Sequence, residues 1–228
     1  RPRVALISIG DEVVPPEAEL SIGQVRDVNS FSLSALVEQS GGVPIRYGIV
    51  PDQASVLAEK ARQALAADDM LLITAGSSAS SRDLTSQVID GLGAPGVLVH
   101  GVSVRPGKPT ILAVCDGKPV IGLPGNPVSA LVIAWLFVIP VIQGLLGVRR
   151  VAPRPSLLAS LSLNVASQAG REDWIPVVLK SGLQGMLAEP VFGKSNLIFT
   201  LARADGLVRI PADATGLSAG ERVEVVLL

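Results

Sequence analysis

Three apolar runs in the first third of the chain have the length and composition of buried strands: Arg3 to Ile9, Val43 to Val50 and Met70 to Thr74. The first two are bounded by Gly or Pro, the third by Asp and by Ala-Gly. None shows the strict apolar–polar alternation of a sheet with one wet face, so they read as parallel strands covered on both sides. Helical patterns lie between them. Ser30 to Ser40 brings Phe31, Leu33, Leu36 and Val37 broadly to one side, and Ala54 to Ala67 is rich in Ala, Leu, Glu, Lys and Gln, with Asp52 placed to cap it.

A third helix is expected to start near Asp83 and to end at Gly91 to Gly93, followed by strands at Val97 to Val104, Thr110 to Val114 and Pro119 to Leu123. Strands alternating with helices predict an α/β fold: a three-layer sandwich around a mostly parallel sheet, with ligands beyond the carboxyl ends of its strands. The uncharged stretch Val128 to Leu146 approaches the length of a membrane span. It contains Pro140 and Gly144 and follows a turn-rich loop, so it reads as a core helix.

The basic, proline-containing segment Arg149 to Pro155 then reads as a linker, dividing the chain into residues 1–150 and 151–228. Beyond it the runs are short: Leu157 to Leu163, Trp174 to Leu179, Leu187 to Val191, Leu207 to Ile210 and Arg222 to Leu228. Gly, Pro and Ser separate them, and they predict a small all-β, barrel-like domain.

Composition narrows the class. Of 228 residues, 48% are hydrophobic, enough for one good-sized core and a smaller one. Nineteen Lys and Arg against 20 Asp and Glu leave a net charge near zero, which gives nucleic acid or an anionic membrane no electrostatic footing and makes any anion site local. The single cysteine, Cys115, excludes an internal disulfide and an all-cysteine metal site, fits a reducing cytosol, and reads as a buried small hydrophobe. The chain opens on Arg1, almost inside a strand, which suggests part of something longer.

Four places could carry chemistry. Leu123 to Ser129 joins a strand to the long apolar helix, and Pro124, Gly125, Asn126 and Pro127 fix an unusual backbone course there. It is an anion site or simply a rigid turn. The small residues Thr74 to Ser81, with Gly76, Ser77 and Ser78 at their centre, would let backbone N–H groups and hydroxyls close on a phosphate, or form a plain polar loop. Arg105 and Lys108 stand on a proline-stiffened turn. Glu12, Asp52 and Asp83 each lie just past the end of one of the first three strands. They are either a set of carboxylates on one sheet edge or two helix caps and a solvated side chain. His100 has no Cys or Asp pattern around it and receives no role, and Trp135 and Trp174 read as core.

Taken in order, Ile9-Gly10-Asp11-Glu12, Asp27-Val28-Asn29, Gly48 to Asp52, the small-residue loop ending in Asp83, Pro106 to Pro109 and Leu123 to Ser129 resemble the molybdopterin-binding domain of the molybdopterin molybdenumtransferases. Gly170 to Trp174, Leu201 to Leu207 and Ile210-Pro211 resemble that family's C-terminal β domain. The resemblance implies a cytoplasmic, homodimeric transferase that inserts molybdate into adenylylated molybdopterin and releases AMP. Magnesium would assist, and an upstream molybdopterin adenylyltransferase would supply the pterin. It makes Glu12, Asp52 and Asp83 the active-site acids. Gly76, Ser77 and Ser78 would cradle the pterin phosphate with Arg105 and Lys108, and Pro124 to Pro127 would form the pocket floor. Which residues hold a metal is left open.

Two departures bear on activity. The family's Gly-Gly-x-Ser-x-Gly loop reads Ala75-Gly76-Ser77-Ser78-Ala79-Ser80 here, with two glycines missing, and a family lysine is replaced by Gly101. Family members also carry two N-terminal domains that contribute to the site and are not in this sequence. The alternative is a noncatalytic pterin- or nucleotide-binding module acting as carrier, sensor or regulator. An interaction domain that only builds a dimer is a weaker third reading.

Overall fold

The computed structural model describes residues 1–75, 79–150, 152–182 and 185–228, with the backbone alone for 79–82. The first strand, β1 (Arg3–Ile9), is followed by the two-residue strands β2 (Val13–Val14) and β3 (Val25–Arg26), then α1 (Asn29–Gln39), β4 (Val43–Val50), α2 (Ala54–Ala67), β5 (Met70–Ala75), α3 (Ala79–Asp90) and β6 (Pro95–His100). After β7 (Val104–Arg105) come β8 (Ile111–Cys115) and β9 (Lys118–Pro124).

The main sheet runs β4-β1-β5-β9-β8-β6. Its first four strands are parallel, while β8 is antiparallel to both neighbours. Period 2 covers both faces. Ala5, Ile7 and Ile9 of β1 and Leu71, Ile73 and Ala75 of β5 join Leu57, Ala61 and Ala64 of α2 and Val88 and Ile89 of α3 in one core. Their alternates, Val4, Leu6, Met70 and Leu72, are equally buried on the side packed by α1.

The apolar stretch after β9 is helical from Pro127 to Leu145, in three parts: α4 (Pro127–Ile133), a π-helical turn at Ala134–Val138, and α5 (Ile139–Leu145). In that wide turn Ile139 N–H donates to the carbonyl of Ala134, five residues back. Pro140 follows immediately, and because it has no N–H to give, a register shift costs the helix little there. The stretch is long and apolar enough to cross a membrane, yet half of its most apolar window is buried inside the protein, where α1 packs along it. That fits a core helix.

Local readings needed three corrections. Helix α3 begins at Ala79, so Asp83 lies in its second turn and does not start it. Phe31 does not join Leu33 and Val37 inside. It is 48% exposed, with the guanidinium of Arg46 4.0 Å above its ring. The strand expected over Val97 to Val104 ends at His100, because Gly101 takes a φ of 90° and turns the chain out of the sheet.

That exit divides the chain. Contacts group Arg1–Val102 with Pro109–Val151 as one unit and Ser103–Lys108 with Ala152–Leu228 as the second, whereas the linker reading had put Ser103 to Lys108 in the first. The second unit contains β10 (Ser156–Leu161), β11 (Val165–Ala166), β12 (Glu172–Gly182), β13 (Gly185–Pro190), α6 (Phe199–Ala202), β14 (Gly206–Ile210), β15 (Gly216–Leu217) and β16 (Arg222–Leu227). Its sheet runs β13-β10-β16-β14-β12-β7, and a further β13–β12 pairing closes five strands into a barrel around Leu161, Val177, Val208, Ile210 and Val225. Strand β7 is added to the outside of β12, pairing Val104 with Glu172 and Arg105 with Asp173.

Candidate functional site

In the first unit the order β4-β1-β5-β9 sets four parallel strands side by side, with their carboxyl ends on one edge. Asp52 follows β4, Glu12 follows β1, Asp83 follows β5 by way of the start of α3, and Pro124 to Pro127 follow β9. The three acids and the proline turn, scattered over more than a hundred residues of sequence, therefore follow four consecutive strands. Register tightens the arrangement. Ala75, the last residue of β5, pairs with Pro124, so the described end of β5 lies beside the start of the proline turn. Gly76, Ser77 and Ser78, expected to cradle a phosphate, lie outside the described residues.

Asp52, Asp11 and Glu12 are brought together. The backbone N–H of Asp52 donates to Asp11 Oδ1 at 3.2 Å, while Asp52 Oδ1 is buried with no hydrogen-bond partner. Burial pushes the Asp52 carboxyl above its ordinary range; a backbone bond from Asp11 opposes this, and the negative charges of Asp11 and Glu12 add to it. Glu12 folds back over Gly10, where a Cβ would lie 2.6 Å from Glu12 Oε2 and φ is 148°. Glycine is needed at that position.

Neither acid caps a helix. The N-cap of α2 is Gln53, without a side-chain bond, and Asp83 is exposed in the second turn of α3. The capping reading therefore fails for both. Among the described residues no group of three or more His, Cys, Asp or Glu side chains is placed to hold a metal ion.

A second polar set is not among the candidate residues singled out from the sequence. Asp27 is buried between strands β2–β3 and α1, where it accepts the Ser8 hydroxyl at 2.9 Å and the Ser30 backbone N–H at 3.1 Å. Thr74 Oγ1 lies 3.4 Å from Ser8 Oγ and joins the end of β5 to the end of β1. Asn29 Nδ2 donates to the carbonyl of Gly125 at 2.8 Å. The available signal was Asp27 and Asn29, two polar residues at the start of α1. Sequence spacing could not say what they touch.

Arg105 and Lys108 belong to the segment grouped with the second unit. There Asp173, whose side chain is fully buried, takes Arg171 Nε at 3.0 Å and Arg105 Nη1 at 3.4 Å. His100 is exposed with Nδ1 3.3 Å from Ser86 Oγ.

Residues 5–144 match the family described as probable molybdopterin binding domain, and residues 159–228 match the MoeA C-terminal region, domain IV. Molybdopterin molybdenumtransferase of Nostoc sp. is 35% identical over 234 residues, covering 100% of this chain and 53% of the relative. A putative molybdopterin biosynthesis protein of Methanocaldococcus jannaschii is 34% identical, over 98% of this chain and 54% of its own length. The solved molybdopterin biosynthesis MoeA protein of Pyrococcus horikoshii superposes on all of this chain and 54% of its own, with a TM-score of 0.85 and 38% identity. The chain spans about half the length of the curated relatives it matches.

Proposed function

This chain belongs to the molybdopterin-binding domain family, followed by the C-terminal region of the MoeA proteins, and we propose that it forms the C-terminal part of a molybdopterin molybdenumtransferase. The observation that supports the reading is the strand order, which puts Asp52, Glu12 and the Pro124–Pro127 turn just past the carboxyl ends of neighbouring parallel strands, with Asp83 in the helix that follows β5.

On this reading adenylylated molybdopterin lies along that edge, and molybdate enters its dithiolene as AMP leaves. The loop at Gly76, Ser77 and Ser78 takes the pterin phosphate, with Pro124 to Pro127 as its floor. Asp52, Glu12 and Asp83 orient the phosphoanhydride that is cut. A partly buried carboxylate with a raised pKa and a buried, unpartnered Oδ1 can accept a proton or a ligand donor more readily than a solvated one. That Arg105 and Lys108 also serve the phosphate rests on the resemblance alone.

Magnesium suits a site of hard oxygen donors in which one or two carboxylates are completed by substrate phosphate. Asp52 and Glu12 would hold it, and it would offset phosphate charge. The same reading carries a homodimer, a cytoplasmic location and a molybdopterin adenylyltransferase as the source of the pterin. A noncatalytic module is the less supported reading, because relatives aligned over the whole chain are named as transferases.

The test is AMP release by the full-length protein given adenylylated molybdopterin, with and without molybdate. Molybdate-dependent AMP is the expected result. Saturable pterin binding without AMP release would replace the transferase with the binding module.

A further inference from the structure

Asn29 is 8% exposed and is the first residue of α1, one past the N-cap Val28, and its side chain does not bond its own helix. Instead its Nδ2 reaches Gly125 O, 96 residues away, at 2.8 Å. Because a carbonyl only accepts, the amide nitrogen must face Gly125, and this leaves Asn29 Oδ1 buried and unpartnered. A buried amide with one end unsatisfied is held there against a desolvation cost, so the bond it does make has a positional consequence.

The surrounding contacts identify that consequence. Asp27 ties the start of α1 to Ser8 at the end of β1, and Ser8 lies beside Thr74 at the end of β5. Asn29 extends the chain to the turn after β9. The ends of three adjacent strands are thus braced through one helix start by four side chains, all nine-tenths buried.

We infer that Asn29 is a positioning residue. By clamping the Gly125 carbonyl to α1, it holds the Pro124–Pro127 turn in place against the ends of β1 and β5 and so sets the shape of the candidate ligand site at that edge. The inference rests on the transferase reading for its kinetic consequence but not for its structural one. On this inference Asn29 acts through Gly125.

The test compares Asn29→Asp and Asn29→Ala with Lys118→Met in the full-length protein. Lys118 binds the carbonyls of Leu65 and Asp68 at the opposite, amino edge of the sheet, so its loss destabilises the same unit without reaching the clamp. Released, the turn should raise KM for adenylylated molybdopterin roughly tenfold in both Asn29 variants while kcat changes less. Lys118→Met, with an equal or larger drop in Tm, should keep the wild-type KM. Amide exchange at Ala130, whose N–H bonds Asn126 O at 2.9 Å, should quicken in the Asn29 variants only. A KM that stays at the wild-type value, or rises equally in Lys118→Met, overturns the inference. If the wild-type protein releases no AMP, the transferase reading fails by itself and exchange at Ala130 decides: unchanged protection in Asn29→Asp overturns the clamp.

Discussion

Arg105 reaches Asp173 across 68 residues of sequence, Nη1 to Oδ2 at 3.4 Å, and this contact lies within the barrel unit. Asp173 is wholly buried, whereas the side chains of Arg105 and Arg171 are 59% and 33% exposed. The carboxylate therefore depends on its two guanidinium partners, while each of them retains water.

Asp173→Asn should destabilise the barrel unit by about 1–3 kcal/mol, since the charge-assisted bonds are lost while the arginines remain solvated. Urea unfolding followed by Trp174 fluorescence checks this, and an unchanged midpoint would show that Asp173 does not anchor β7.

Asp52→Asn should make the first unit more stable at neutral pH. The wild-type carboxyl ionises above its ordinary range in the folded state because it is partly buried and faces Asp11 and Glu12, so holding it charged costs stability above that raised pKa. As pH falls towards the ordinary carboxylate range the wild-type group takes up a proton and the advantage of Asn disappears. Melting curves over that window, set beside a loss of molybdate-dependent turnover, would separate functional strain from simple packing.

Asp83→Ala should leave folding intact, with a stability change within about 0.5 kcal/mol, because the side chain is exposed in the body of α3. Turnover in the full-length protein should nevertheless be lost. Unchanged turnover would remove Asp83 from the site.

Cys115 should resist thiol reagents in the folded protein. It is 1% exposed, its S–H points to the Ile89 carbonyl at 3.4 Å, and burial, followed by Asp116 and Asp90, pushes its pKa up. Labelling should keep pace with unfolding as denaturant is added, and rapid reaction in buffer would show that the end of β8 opens in the folded protein.

Local pattern was enough for β1, β4, β5 and the barrel strands, because a buried strand needs a short apolar run and nothing distant to identify it. It was also enough, through the ordered motifs, for the family and for the three acids that follow the first strands. It misplaced the start of α3, where Ala79 to Arg82 are small or polar and carry no apolar period. It also put Phe31 inside, because a helical wheel ranks hydrophobicity without knowing that Arg46 covers the ring from the next strand.

Only the tertiary structure decided which strands are neighbours, and so that Asp52, Glu12 and the turn at Pro124 share an edge. Parallel pairing leaves no mark between segments far apart in the chain. It alone moved Ser103–Lys108 into the second unit, through a left-handed Gly101 and pairing with β12. It alone revealed Asp27 and Asn29 as a brace. The sequence by itself determines which segments must be buried and which residue types are available for chemistry. Where a side chain's partner lies 96 residues away, as Gly125 does for Asn29, the contact exists only once the sheet has brought both ends together.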